Sequence, residues 1–184
     1  FASNHLSHLD VPVILAAMPG RWRGRIAPAM LKEFFEAHFH PGGHTWRERF
    51  TNSLNYYLAC FYFNGFPIPQ REIGTRHTLH YMGDLVSDNW SILIFPEGVR
   101  GETGTIRSFR GGIGMIASRL DVPVVPVRID GVERVLHQSW RMVRPGRVRV
   151  AFGAPMRLRG DDYAALAHEV EERVRALAPN DTIR

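Results

Sequence analysis

The sequence has very little cysteine. Cys60 is the only one in 184 residues, so no disulfide can form within the chain, and a reducing compartment suits it. No apolar run reaches the ~20 residues that cross a bilayer, and no signal peptide is visible. A Gly-x-Ser-x-Gly elbow is missing, which argues against the serine esterases. Walker, Rossmann and zinc-finger patterns are missing too, so nucleic-acid binding would rest on net charge alone and is not expected. There is no internal repeat, low-complexity tract or linker, and one domain over 1–184 is the simplest organisation. The chain opens on Phe1 at what reads as a strand end, so we expect a domain cut from something longer on its N-terminal side.

What is present reads as globular. Apolar residues make up 45%, and Lys plus Arg exceed Asp plus Glu by 23 to 18. That mild positive excess suits an anionic partner, whether phosphate or lipid surface, without choosing between them. Apolar runs rich in β-formers alternate with helical patterns. Strands are expected at 23–29, 66–69, 91–96, 122–129 and 147–153. Helices are expected at 11–18, 30–39, 44–63, 75–88, 111–120 and 161–177. In the long 44–63 segment Trp46, Phe50, Leu54, Tyr57, Leu58 and Phe61 fall at helical spacing. Such alternation predicts an α/β fold, a mostly parallel central sheet flanked by helices.

The stretch "SNHLSHLD" (3–10) carries the chemistry. Asp10 precedes Val11-Pro12, and proline is welcome in a helix's first turn, so Asp10 reads as an N-cap. His5 and Asp10 would not share a face of a regular helix, since five residues rotate about 500°. In a turn leading into a helix they can meet. An aspartate accepting from one imidazole nitrogen fixes the tautomer and leaves the other nitrogen as a base. That is half a triad, needing a hydroxyl supplied by the substrate. The bland alternative makes Asp10 a cap and His5 and His8 ordinary loop residues.

A second element, "FPEGVRGETG" (95–104), follows the 91–96 strand. Glu97 and Arg100 stand at its end among Gly98 and Gly101, and glycines let backbone amides approach an anion. Alternatively Glu97 and Arg100 form only a local ion pair. Loops that follow parallel strands open on one edge, where ligands bind. His5, Glu97 and Arg71 would therefore share one crevice. The histidines at 38, 40, 44, 77 and 80 form no ordered ligand set, and no metal is expected.

These residues resemble the glycerolphosphate and lysophosphatidate acyltransferases, the PlsC-type domain. "NHLSHLD" (4–10) resembles the family's first motif: Asn-His, four residues, Asp. "GFPIPQR" (65–71), "FPEGVRG" (95–101) and "VPVVPV" (122–127) are similar to the second, third and fourth. Val99 stands where threonine is usual, Gly101 where serine is, and Pro67 and Pro69 depart from the second block. The resemblance implies transfer of a fatty acyl group from a thioester to a hydroxyl of a glycerophosphate or lysophospholipid. The donor would be acyl-CoA or acyl-carrier protein, a co-substrate, with no cofactor. His5 would be the general base and Asp10 its orienting partner. Arg71, Glu97, Gly98 and Arg100 would hold the acceptor.

A lipid hydrolase using the same His–Asp pair, or a membrane-binding module without activity, is the alternative. The expected location is the cytoplasmic side of a membrane, peripheral or anchored by segments outside this stretch. The aromatic stretch 54–66, with Arg47 and Arg49 upstream, is the candidate contact with that surface. The competing expectation is that Trp46, Phe50, Leu54 and Leu58 face the core.

Overall fold

The computed structural model describes residues 1–68, 76–99, 105–136 and 142–177. In chain order the elements are β1 (Ala2–Ser3), α1 (Asp10–Ala17), α2 (Gly20–Arg23), β2 (Ile26–Leu31), α3 (Glu36–Phe39), α4 (Trp46–Phe63), β3 (Phe66–Ile68), α5 (Arg76–Ser87), β4 (Ser91–Leu93), α6 (Gly112–Leu120), β5 (Pro126–Asp130), β6 (Arg149–Phe152) and α7 (Tyr163–Ala176). They divide into two compact units, one of Phe1–Gly24 with Leu93–Arg184, the other Arg25–Ile92.

In the first unit the strand order is β1-β5-β6. β1 runs parallel to β5, Ala2 opposite Pro126, and β6 is antiparallel, Val127 opposite Phe152. On the other side of β1, Ala2 forms a parallel bridge with Ile94. Ser3 N donates to Ile94 O at 3.0 Å, and Ala2 N donates to Val125 O at 3.0 Å. This short strand is therefore bonded on both sides, which fixes where its following loop emerges. Ala2, Phe109, Ile113, Ala117, Val124, Leu158, Ala167, Val170 and Val174 form the core. α6 packs on α7 so closely that a Cβ on Gly114 would lie 2.5 Å from the Tyr163 carbonyl oxygen. The apolar stripe of α7 buries Ala167, Val170 and Val174, as its spacing predicts.

The second unit has the order β3-β2-β4, with Ala29 to Leu31 parallel to Phe66 to Ile68. Its buried residues include Ile26, Phe35, Phe66, Ile68 and Met82. α4 starts at a capping box: Thr45 Oγ1 accepts from Glu48 N, and Glu48 reaches back to Thr45 N. It stops at Asn64, whose φ of 54° is left-handed.

Three expectations are corrected. Residues 30–39 are not one helix. β2 runs on to Leu31, a 3-10 turn covers Lys32–Phe35, and α3 is a single turn. Pairing with β3 gives these backbone groups a partner that local helical preference does not supply. In 122–129 the strand begins only at Pro126, while Val124 makes an isolated antiparallel bridge to Met156. The third concerns α4, none of whose residues is buried. Trp46, Phe50, Leu54 and Leu58 are exposed rather than core-facing, because Tyr56 and Ser53, on the helix's other side, take the contacts with 35–39.

Candidate active site

β1 ends because Asn4 substitutes its side chain for backbone. Asn4 Nδ2 donates to Ile129 O at 2.9 Å, and Asn4 Oδ1 accepts from Ile129 N at 2.8 Å. The amide group occupies both hydrogen-bonding groups of Ile129, so the main chain is free to turn away. Ser7 is anchored too, its hydroxyl donating to Leu136 O at 2.7 Å. The loop that holds His5 is thus tied at two points to chain 125 and 129 residues away.

Asp10 is the first residue of α1, not its N-cap; Leu9 takes that place without a side-chain bond. The carboxylate instead turns back over its own loop. Its Oδ2 accepts from Leu6 N at 2.6 Å and Ser7 N at 3.0 Å, and Oδ1 from Ser7 N at 3.1 Å. Oδ2 also meets His5 Nδ1 at 2.6 Å. Backbone amides can only donate, so Asp10 accepts throughout and His5 Nδ1 carries the proton. His5 Nε2 then holds a free lone pair. Burial strengthens the arrangement: the Asp10 side chain is 1% exposed, while His5, at 22%, still reaches solvent. The imidazole is held flat by Phe95, the ring centroids 4.3 Å apart. The helix N-terminus adds a favourable field for the aspartate charge.

Glu97 joins the second element to the first. Its Oε1 accepts from His5 N at 2.8 Å and its Oε2 from Arg107 N at 3.0 Å. Both oxygens are thus engaged by backbone, and the residue is 2% exposed. Burial pushes its carboxyl above the usual range, opposed by the two amide bonds. In this structure Glu97 clips the backbone at His5 to the backbone at Arg107. Gly98 follows with φ +71°, a conformation open to glycine. A Cβ there would lie 2.9 Å from Cζ of Arg110. The glycine therefore makes room for an exposed guanidinium on the loop.

Residues 105–110 form an irregular strap whose amides are met by two buried glutamates. Arg107 N goes to Glu97, and Phe109 N goes to Glu171 Oε2 at 2.9 Å. Arg175 completes it, donating to Glu171 Oε1 at 3.0 Å and to Ile106 O at 2.6 Å. His168, Glu171 and Glu172 are near enough to hold a cation, yet both oxygens of Glu171 already serve the strap.

The geometry brings His5 against both Asp10 and Glu97, with Gly98 next to Glu97 in the chain. Arg71 and Arg100 lie outside the described residues. Asn4, Phe95, Arg110 and Glu171 were not foreseen as contributors. Asn4 and Phe95 stand inside the two motifs, and Glu171 is a lone charge in the apolar stripe of α7; those were the available signals. Arg110 had none.

Among the described residues, the loop 3–10 sets no free hydroxyl beside the His5–Asp10 pair. The loop serines spend their hydroxyl protons on the carbonyls of Asn4 and Leu136. The chain belongs to the Acyltransferase family, whose model matches residues 1–130. Among its relatives is the 1-acyl-sn-glycerol-3-phosphate acyltransferase of Cocos nucifera, 33% identical over 91 residues, 47% of this chain and 28% of that protein. The alpha enzyme of that name from Bos taurus is 25% identical over 173 residues, 91% of this chain and 53% of that protein. The crystal structure of the 1-acyl-sn-glycerophosphate acyltransferase PlsC from Thermotoga maritima superposes with a TM-score of 0.66 at 26% identity, over 95% of this chain and 62% of that one. This chain thus spans about a quarter to a half of the two curated relatives' lengths.

Proposed function

We propose that this domain transfers a fatty acyl group from a thioester, acyl-CoA or acyl-carrier protein, to the free hydroxyl of a lysophosphatidate-like acceptor. The observation that carries the proposal is the His5–Asp10 pair at 2.6 Å, with Glu97 bonded to the backbone of that same histidine. The relatives' names point to the same acceptor class.

In this reading His5 Nε2 takes the acceptor hydroxyl's proton as the oxygen attacks the thioester carbonyl carbon. Asp10 stabilises the imidazolium that results. Collapse of the tetrahedral intermediate breaks the C–S bond, and the leaving thiolate recovers the proton from His5. The acyl group passes directly to the acceptor, with no acyl-enzyme. Arg110, exposed over Gly98, is a cation for the acceptor's phosphate, where a guanidinium can donate two parallel hydrogen bonds; the family resemblance implies the same role for Arg100 and Arg71. Glu97 sets the position of His5 and of the strap bearing Arg110. The acceptor and product are lipids, so the domain works at the cytoplasmic surface of a membrane.

The test offers acyl-CoA and acyl-carrier protein with a panel of lysophospholipid and glycerophosphate acceptors, and identifies products by mass spectrometry. The expected outcome is an acylated phosphate-bearing acceptor, absent with His5→Ala. Free fatty acid released at the same rate without acceptor would identify a hydrolase instead. No turnover of any thioester by the folded protein would leave a binding module.

A further inference from the structure

We infer that the outer face of α4 is a docking surface for an anionic lipid bilayer. The inference rests on the acyl-transfer reading only in choosing a lipid occupant; the surface itself is read from the helix.

Trp46, Phe50, Leu54, Tyr57, Leu58, Phe61 and Tyr62 are all exposed, Trp46 by 72% and Phe61 by 80%. Their spacing of three and four residues lines them along one side for the whole helix, about 27 Å at 1.5 Å per residue. The opposite side is occupied. Tyr56 stacks on His38 at 4.5 Å and meets Phe35 and Phe39 edge-on, and His38 Nδ1 bonds Ser53 Oγ at 2.9 Å. The helix is therefore held from within its own unit while its more apolar side faces out. A contiguous exposed apolar patch of this kind marks an interaction site.

Charge selects the occupant. No Asp, Glu, Lys or Arg occurs from Phe50 to Phe66, and the cations stand at one end, Arg47 and Arg49. The acid between them, Glu48, is turned away to cap the helix, accepting from Thr45 N at 2.8 Å and Thr45 Oγ1 at 2.9 Å. The Arg47 guanidinium lies over the Trp46 ring at 5.4 Å, and Arg49 has no acidic partner among the described residues. Tryptophan and tyrosine settle at the level of lipid headgroups, with the apolar ring inward and the polar tip wet. A helix with such a face and a cationic end lies in the interface plane, drawn to anionic lipid. It does not span: among the described residues no helix is long and apolar enough to cross a membrane.

The test is co-sedimentation with vesicles of phosphatidylcholine alone or mixed equally with phosphatidylglycerol. Wild type should sediment with the mixed vesicles. The triple variant Trp46→Ser/Phe61→Ser/Tyr62→Ser should bind them roughly tenfold or more weakly, with an unchanged melting temperature. Arg47→Gln/Arg49→Gln should lose the preference for the anionic mixture. Wild type that binds neither vesicle, or a folded triple variant that binds as wild type does, overturns the inference. So does a wild-type dimer, seen by sedimentation velocity, that the triple variant abolishes while vesicle binding persists. With a water-soluble short-chain thioester and acceptor, both proteins should turn over equally. Failure of both there would sink acyl transfer and leave the vesicle result standing.

Discussion

The loop around His5 and the outer face of α4 invert the usual partition of residues in opposite ways. In the first, Asn4, Ser7, Asp10 and Glu97 are polar and at most 2% exposed. In the second, seven large apolar side chains are at least 42% exposed. A buried polar group left without a partner costs about 1–3 kcal/mol, so such a loop survives only if every group is met. Here each of the four is hydrogen-bonded. An exposed ring costs folding little, because the unfolded chain exposes it too. The loop is consequently bound to the fold that holds it, whereas the α4 face can be rewritten without the fold responding.

The strongest way to break this contrast is His5→Ala. Turnover should fall by about 10²–10⁴ while thermal stability holds, because Leu6 N and Ser7 N still satisfy Asp10. Near-normal acyl transfer by the folded variant would remove His5 from the mechanism. Asp10→Asn should also cut turnover and cost roughly 1–3 kcal/mol in denaturant unfolding. An amide NH2 would then face donors that the carboxylate now accepts from. Unchanged stability would show that the loop does not depend on those bonds.

Glu97→Gln should have a smaller effect on rate, since the carboxylate's two oxygens hold the backbone amides of His5 and Arg107. Its signature is in pH. Burial raises the carboxyl in the folded state, so the proton is held more tightly folded than unfolded. The stability that Glu97 contributes is then present below the unfolded carboxyl pKa, and it is lost as pH rises through the folded one. The stability difference between wild type and variant should decline across that window; a flat difference counts against the buried clip. The smallest effect sharpens the contrast from the other side. Phe61→Ser on α4 should shift unfolding by no more than about 0.5 kcal/mol, against about 1–3 kcal/mol for Val170→Ala in α7. A comparable loss at Phe61 would mean that the outer face is structural.

Much of this was legible from residues alone. The alternation of runs implied α/β with parallel strands, and β1/β5 and β2/β3 are parallel. The span 44–63 read as one helix, and the His–Asp and Glu-Gly motifs predicted a shared edge, which the His5 N bond to Glu97 supplies. Local sequence suffices there because caps, periodicity and tight turns are short-range.

Which face of α4 lies inward was not legible. Periodicity records that two faces differ; what covers either depends on Phe35 and His38, and they met Tyr56. The roles of the acids were hidden for the same reason. Glu97 and Glu171 serve backbone amides 92 and 62 residues distant, and an amide, common to nearly every residue, leaves no mark in the sequence. Asp10 looked like a cap because aspartate before a helix usually caps. Only the tertiary path of 4–9, pinned by Asn4 to Ile129 and by Ser7 to Leu136, turned its carboxylate onto the histidine.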